Sequence, residues 1–220
     1  MSPTDPAHNP PVFPVFFRQG LYASVLAVGL LGWIYLFQRW GGWWHPFTAQ
    51  PQSLPNLATG WGYAFLHGSP THLIANGVAL LVLGTLSYGL YPKATLRALP
   101  LAWVASFLTI WMFGQGGASH LGASGLTYGL MALLGTMGLI RRERPAMGAS
   151  LIVWFLFGGA WWAMLPGFPQ VSWEGHLGGA VGGALAALLW RRLDPSIEPV
   201  IDLGEDEDDP EDRVDEADVT

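Results

Sequence analysis

The chain has 220 residues, of which 51% are hydrophobic and only 12% are charged, about half the charged fraction of a soluble domain. The net charge of -6 comes from the C-terminal part, because eleven of the 16 acidic residues lie between Asp202 and Asp218. The absence of cysteine excludes disulfides, a thiol nucleophile and a metal site with cysteine ligands. The composition therefore indicates a membrane protein with an acidic tail rather than a soluble enzyme.

Six apolar runs follow a proline-rich N-terminal segment, residues 1–20, in which no signal-peptide cleavage site is visible. Each run has about 16–20 residues, close to the length that a helix needs to cross a hydrocarbon core of ~30 Å. Because the runs lack the two-residue alternation of barrel strands, they predict helices. The six runs are residues 21–37, 73–91, 98–113, 123–140, 149–165 and 171–190.

This pattern predicts an all-α membrane protein with a six transmembrane helix bundle. We expect the membrane domain to span residues 21–193, after a cytoplasmic N-terminal segment of residues 1–20. A long loop follows the first run and is rich in tryptophan and proline, as segments at the membrane interface are. Residues 194–220 are acidic and contain no aromatic residue, so we predict a disordered cytoplasmic tail.

The basic residues predict the orientation of the bundle. If the N-terminus is cytoplasmic, eight Lys and Arg residues lie in cytoplasmic segments and only Arg39 lies in an outer loop, which is the usual distribution of positive charge. Both termini are then cytoplasmic, and the long first loop is extracytoplasmic. The eight residues are Arg18, Lys93, Arg97, Arg141, Arg142, Arg144, Arg191 and Arg192.

Ser124, Asn76 and His176 lie at nearly the same predicted depth in three different helices. Counted from the first basic residue at the cytoplasmic end of each helix, they lie 17, 17 and 15 residues away, or about 25, 25 and 22 Å at the helical rise. His72 precedes Asn76 by one turn on the same face. Polar side chains are costly inside a membrane and usually serve a function, so we expect these four residues to form a site.

The four side chains suit hydrolysis by a serine nucleophile. A serine hydroxyl needs a neighbouring base, and a neutral imidazole can act as one near neutral pH, so we expect Ser124 and His176 in these roles. The oxyanion that forms during attack needs hydrogen-bond donors placed in advance. The Ser124 amide and the side chains of His72 and Asn76 are the candidate donors.

Small residues and one tyrosine surround the candidate pair. Tyr128 follows Ser124 by one helical turn, which would let its ring stack on the imidazole of His176. Glycines beside the serine leave room for a substrate backbone, and glycines four residues apart let two helices pack closely. These glycines are Gly122, Gly125, Gly179 and Gly183.

Over about residues 15–195, the sequence resembles the rhomboid family of intramembrane serine proteases. The resemblance rests on three motifs, His72-x-x-x-Asn76, Gly122-x-Ser124-Gly125 followed by Tyr128, and His176-x-x-Gly179-x-x-x-Gly183. It implies the bacterial six-helix form, with Ser124 as nucleophile and His176 as base in a dyad without a carboxylate. His72, Asn76 and the Ser124 amide would bind the oxyanion.

The same resemblance implies substrates that are single-pass transmembrane proteins in the lipid bilayer, cut near the outer end of their helix. It implies a bacterial inner (plasma) membrane location, with the active site opening to the extracytoplasmic side. No metal, cofactor or nucleic acid is implied. The sequence departs from the family in the first loop, where many rhomboids carry a Trp-Arg pair and this chain has Ala58-Thr59.

Several alternatives stay open. A catalytically silent rhomboid-like protein that binds transmembrane clients would have the same fold, although such proteins usually lack the serine or the histidine. A transporter or channel would also line a path with polar residues, but the sequence shows neither an internal repeat nor paired broken helices. We interpret His120 as a loop residue. Glu174 either tunes His176 or lies in a solvated loop, and we favour the loop.

Overall fold

Six long helices form the part of the chain that the computed structural model describes, residues 12–168 and 171–196. Residues 1–11 and 197–220, which include most of the predicted acidic tail, lie outside the described residues. Short 3₁₀-helical segments lie at Gly60–Phe65, between the first two long helices, and at Gly158–Met164, directly after the fifth. The long helices are α1 (Val12–Gln38), α2 (Pro70–Leu90), α3 (Pro92–Phe113), α4 (Ser124–Arg141), α5 (Arg144–Phe157) and α6 (Trp173–Trp190).

Most of the helices begin earlier than the apolar runs predict. The first helix begins at Val12 rather than at residue 21, and α2, α3 and α5 begin three to six residues before their runs. Each of these three helices has a proline in its first turn, where the fixed φ of the ring suits a helix and the missing N–H removes no hydrogen bond. The apolar runs begin too late because these first turns also contain polar residues.

The fifth helix is shorter than its run, because α5 ends at Phe157 and a 3₁₀ segment continues to Met164. Gly158 and Gly159 stand at the change from one helix type to the other. Glycine disfavours the interior of an α-helix by about 1 kcal/mol relative to alanine, which explains why the α-helix stops here. The 3₁₀ segment matters for the site because two of its carbonyl groups point there.

The sixth helix lies between α3 and α4, while α1 packs against α2. The contact between α6 and α4 is made by their backbones. A Cβ atom added at Gly179 would collide with the carbonyl oxygen of Gly125, and one added at Gly183 would collide with that of Gly129. Glycines four residues apart on both helices therefore bring the two helices together at short range.

Among the residues that the structure describes, four helical segments are long and apolar enough to cross a membrane, namely Val15–Gln38, Pro70–Leu90, Pro92–Phe113 and Arg144–Met164. The other two predicted spans, α4 and α6, have 18 residues each and carry the buried glycine contacts. Large apolar side chains project outward from the surrounding helices, among them Leu26 of α1 and Phe155 of α5, which is 89% exposed. Exposed apolar surface of this extent is typical of a surface that faces lipid.

The first residues of α2, α4 and α6 lie at the same end of the bundle, the site end. The connection between α1 and α2 covers this end. Its residue Ala49 exchanges two backbone hydrogen bonds of 2.9 Å with His120, in the loop that leads into α4. Tyr63 of the same connection is buried and packs against Phe107 of α3. The connection is therefore packed on the helices that carry the candidate residues.

Asn56 organises the first loop close to Ala58-Thr59, where the sequence lacks the Trp-Arg pair of many rhomboids that it resembles. The side chain is buried. Its Oδ1 accepts a 2.8 Å bond from the amide of Gln50, and its Nδ2 donates a 2.8 Å bond to the carbonyl of Thr48. A buried asparagine with its polar groups satisfied can hold an irregular loop in one conformation.

Charged groups connect the helices at the opposite end. Asp194 accepts hydrogen bonds from the amides of Lys93 at 3.0 Å and Ala94 at 2.9 Å, at the start of α3. Arg141, at the end of α4, pairs with Glu143 at 2.6 Å and donates a 2.9 Å bond to the carbonyl of Asp194. The first residue of the predicted tail, Asp194, is therefore buried against the bundle.

Candidate active site

Ser124 and His176 meet at the site end of the bundle. Ser124 is the first residue of α4, and His176 lies in the first turn of α6. The Nε2 atom of His176 lies 2.9 Å from Ser124 Oγ, and its Nδ1 atom lies 3.0 Å from the carbonyl oxygen of Ala163. Because a carbonyl only accepts, Nδ1 carries the proton, and Nε2 accepts from the serine hydroxyl. The ring is in the tautomer that a general base requires.

Two carbonyl groups of the 3₁₀ segment orient the rings of this site. The ring of Tyr128 stacks on His176, with centroids 4.1 Å apart and planes inclined by 10°. The Tyr128 hydroxyl donates a 2.5 Å bond to the carbonyl of Ala160, just as His176 bonds to that of Ala163. Sequence reasoning missed both alanines because their contribution is a backbone group. The glycine pair that ends α5 was the available signal for irregular backbone here.

Gly122 lies directly against His72 and Asn76. Its φ of +129° is in the region that favours glycine, and its amide donates a 2.9 Å bond to the carbonyl of Tyr63. A Cβ atom added here would lie 2.6 Å from His72 Cε1 and 3.5 Å from Asn76 Nδ2. The two side chains therefore flank the backbone that leads into Ser124, where the first amides of α4 have no acceptor within the helix.

His67 and Gln38 form a second layer behind Asn76. The Nδ2 atom of Asn76 lies 3.1 Å from His67 Nε2. The backbone of His67 is held by Gln38 at the end of α1, which accepts from its amide at 2.9 Å and donates to its carbonyl at 3.4 Å. Burial, and secondarily the neighbouring His72, lowers the pKa of His67 to about 4. Sequence reasoning missed Gln38, whose only signal was a polar residue at the end of an apolar run.

A cavity of about 1120 Å³ opens beside the pair. It is larger than ordinary small-ligand pockets of ~300–1,000 Å³. Helices α2, α4 and α6, the end of α5 and the loops at the site end form its walls. Its lining combines polar residues such as Gln115 and Ser172 with apolar ones such as Met131 and Phe157. The cavity therefore presents both polar and apolar surface beside Ser124 and His176.

Glu174 does not lie in a solvated loop, and that prediction was wrong. The residue belongs to the first turn of α6 and is only 6% exposed. Its carbonyl accepts a 2.8 Å bond from Thr109 of α3, and its carboxylate lies 3.5 Å from Ser172 Oγ. A carboxylate in the first turn of a helix interacts favourably with the helix dipole. Sequence reasoning placed Glu174 outside because a charged residue near a helix start is usually solvated.

The structure brings the predicted serine–histidine pair and the candidate oxyanion residues to one end of the bundle. His176 is in direct contact with both Ser124 and Tyr128, and His72 and Asn76 lie around Gly122. The remaining predicted glycines, Gly125, Gly179 and Gly183, form the helix contact behind the pair. Within residues 12–168 and 171–196, no three histidine or acidic side chains converge as metal ligands.

Comparison with known proteins identifies the family. The family model for the rhomboid domain matches residues 51–193, well over half of the chain. Uncharacterized protein Rv1337 of Mycobacterium tuberculosis is 39% identical over 140 residues, which cover 59% of this chain and 58% of that protein. Uncharacterized protein ML1171 of Mycobacterium leprae is 35% identical over 141 residues, 59% of this chain and 55% of that protein. The chain thus matches less than two thirds of the length of these relatives, and no solved structure matches it. From the matched domain and the apolar helices, we conclude that the chain is an integral membrane protein of the rhomboid family.

Proposed function

We propose that the protein is an intramembrane serine endopeptidase with Ser124 as nucleophile and His176 as general base. The observation that supports this most strongly is the 2.9 Å contact between His176 Nε2 and Ser124 Oγ, in a ring whose other nitrogen donates to a carbonyl. A silent relative that only binds clients would not require this tautomer. Acyl transfer to a serine requires both groups within hydrogen-bonding reach.

In the proposed reaction, Ser124 Oγ attacks the carbonyl carbon of the scissile peptide bond as its proton passes to His176 Nε2. The imidazolium keeps its Nδ1–H bond to Ala163, so the ring does not turn away. Nε2–H then gives its proton to the leaving amine as the C–N bond breaks, which leaves an acyl ester on Ser124. A water molecule, deprotonated by Nε2, attacks the ester, and the proton returns to Ser124 Oγ as the acid leaves.

The oxyanion of each tetrahedral intermediate needs donors near Ser124. We propose the amide of Ser124 at the start of α4 and the side chains of His72 and Asn76. Their position around Gly122 supports this role. Asn76 Nδ2 carries two hydrogen atoms, and the contact with His67 Nε2 uses only one of them. The second N–H of Asn76 Nδ2 therefore remains for the oxyanion. Donors placed in this way stabilise the charge as it develops.

The site has a backbone carbonyl where serine proteases of the triad type have a carboxylate. The carbonyl of Ala163 fixes the tautomer of His176, and Tyr128 restricts the rotation of its ring. A carbonyl stabilises the imidazolium less than a carboxylate does, since it carries only a partial charge. The dyad therefore depends on orientation by these neighbours, and the 3₁₀ segment becomes part of the catalytic apparatus.

The proposed substrates are single-pass transmembrane proteins in the lipid bilayer, cut near the outer end of their helix. The mixed polar and apolar lining of the cavity supports entry of an unwound apolar segment together with water. The basic residues at the opposite end, such as Arg141, Arg191 and Arg192, support a cytoplasmic position for that end and for both termini. The site then opens to the extracytoplasmic side of a bacterial inner membrane.

Cleavage of a transmembrane test substrate by the purified full chain in liposomes tests the proposal. We expect cleavage by the wild type and none by Ser124→Ala or His176→Ala. Ser87→Ala is the matched control, because this buried serine of α2 has an Oγ without a hydrogen-bond partner. A fluorophosphonate probe should label the wild type but not Ser124→Ala. Equal cleavage by wild type and Ser124→Ala would refute the proposal, and an unlabelled, inactive wild type would favour the silent alternative.

A further inference from the structure

A second serine–histidine contact joins the two segments that carry the candidate pair. The Nδ1 atom of His120 lies 2.9 Å from Ser172 Oγ. His120 precedes Ser124 by four residues, and Ser172 precedes His176 by four. The loop that leads into α4 and the start of α6 are therefore connected twice, once by the candidate pair and once by this contact. In the candidate pair the α4 segment contributes the serine and the α6 segment the histidine, whereas in this contact the α4 segment contributes the histidine and the α6 segment the serine.

The protons of this contact have one consistent arrangement. The Ser172 hydroxyl points toward the Glu174 carboxylate at 3.5 Å, which can only accept, so Ser172 Oγ accepts from His120 Nδ1–H. Burial lowers the pKa of His120 and the nearby Glu174 carboxylate opposes this shift. His120 Nε2 is buried without a partner. The direct bond to Ser172 therefore accounts for all the hydrogen bonding of this ring.

Both partners are fixed to the backbone of the site. The amide and carbonyl of His120 each bond to Ala49 at 2.9 Å, which fixes the loop on one side. The carbonyl of Ser172 accepts a 3.1 Å bond from the amide of His176 itself. A shift of Ser172 would therefore move the backbone of the candidate base. The first turn of a helix has few bonds of its own, so a side-chain contact there has a large influence.

The glycine contacts between α4 and α6 leave this turn to be fixed by other groups. The first glycine of α6 that lies directly against the α4 backbone is Gly179. It follows His176 by almost a turn, so the glycine contacts begin only after the first turn of α6. During the proposed reaction Ser124 Oγ becomes an ester oxygen and no longer donates to His176 Nε2. At that stage the contact between His120 and Ser172 still connects the two segments. The helix dipole accounts for an acidic residue, Glu174, in the first turn of α6. It does not account for the histidine at position 120, which the contact with Ser172 does explain.

We infer that His120 is a positioning residue for the proposed dyad, acting through Ser172 on the first turn of α6. The inference rests on the proposed function. His120 keeps His176 in place for both acylation and the attack of water. Loss of its bond to Ser172 should reduce the turnover number far more than it changes KM. The bond acts on the backbone of the proposed base, whereas His120 and Ser172 contribute only a small part of the cavity wall.

Kinetic analysis of His120→Phe, Ser172→Ala and the double variant in liposomes tests the inference. We expect each single variant to lower kcat about tenfold, the effect of one lost hydrogen bond, with KM within about twofold of the wild type. The double variant should be no slower than either single one, since both remove the same contact. His120→Asn should recover most of the activity, because its Nδ2 can replace His120 Nδ1 as the donor. The rate of fluorophosphonate labelling should follow kcat.

His45→Phe is the matched control, because this loop histidine stacks on Trp44 and a phenyl ring can keep that contact. It should retain wild-type kcat. Full activity of His120→Phe and Ser172→Ala, additive losses in the double variant, or equal losses in His120→Asn and His120→Phe would overturn the inference. If His120→Phe does not fold, Ser172→Ala and His120→Asn decide the result. These outcomes leave the proposed function intact as long as the wild type cleaves and Ser124→Ala does not. A wild type without activity would overturn both.

Discussion

Gly122→Ala is the sharpest test of the oxyanion site, because it adds one methyl group at a position where the structure leaves no room. The new Cβ would lie 2.6 Å from His72 Cε1 and 2.7 Å from its Nε2, whereas ordinary contacts begin near 3.4 Å. His72 would therefore have to move by close to 1 Å. The φ of +129° adds backbone strain, for which about 1–3 kcal/mol is typical.

The displacement of His72 should change kcat, whereas the backbone strain at Gly122 should change the free energy of unfolding. A displacement of about 1 Å at a reacting group can reduce the rate by ~100-fold, and the loss of one oxyanion donor costs ~100- to 1,000-fold in kcat. We therefore expect kcat for the transmembrane substrate to fall by at least about 100-fold. The free energy of unfolding should fall by about 1–3 kcal/mol from the backbone strain.

Gly135→Ala is the matched control within α4, because no atom lies within 4 Å of its added Cβ. This substitution should leave kcat unchanged and should stabilise the helix by about 0.5–1 kcal/mol. Both variants are compared by substrate cleavage in liposomes and by thermal unfolding in detergent. A Gly122→Ala protein with wild-type kcat would show that His72 and Asn76 do not act where we place them.

Three further outcomes are expected. Gly179→Ala places a methyl group against the backbone of α4 and should lower the free energy of unfolding by about 1–3 kcal/mol. Gly159→Ala is the control, because its added Cβ has no neighbour within 4 Å, and it should not lower the free energy of unfolding. Equal stabilities of the two variants would contradict the close helix contact. Tyr128→Phe keeps the stacked ring but loses a hydrogen bond, so kcat should fall about fivefold to tenfold with unchanged KM, and an undiminished kcat would remove the hydroxyl from the mechanism. The pKa of His67 is lowered from 6.5 to about 4, so the unfolded chain binds a proton first on acidification. The contribution of His67 to the free energy of unfolding should be full above pH 6.5 and fall by about 3 kcal/mol as the pH approaches 4, and His120, whose pKa is also lowered by burial, should add to the total fall. Replacing His67 by Gln should flatten that pH dependence, and an equally steep profile in the variant would assign it to another group.

Sequence reasoning placed the ends of several helices incorrectly. Length and apolarity are local properties, so six helical segments could be read along the chain. The first turns of α2, α3 and α5 contain proline and polar residues, and a count of apolar residues excludes them. The reverse error concerns Glu174, whose charge suggested solvent although the packing of α6 against α3 buries it.

The neighbours that orient the candidate pair could not be predicted. Ala160 and Ala163 contribute carbonyl groups, and every residue has a carbonyl, so nothing in the sequence distinguishes these two. Gln38 and His67 are 29 residues apart, and His120 and Ser172 are 52 apart. Such contacts between single polar groups depend on distances of a few tenths of an ångström, which residue spacing along one helix does not report.

The sequence by itself determined that the chain is apolar enough for a membrane and that one serine and one histidine begin two helices at a common level, because composition, period and rise per residue are properties of the local chain. Only the tertiary structure decided which way the imidazole faces, which carbonyl holds its proton and how closely α4 and α6 approach. Those features arise where separate segments meet, and their geometry is set by packing and hydrogen bonds between residues that are distant in sequence.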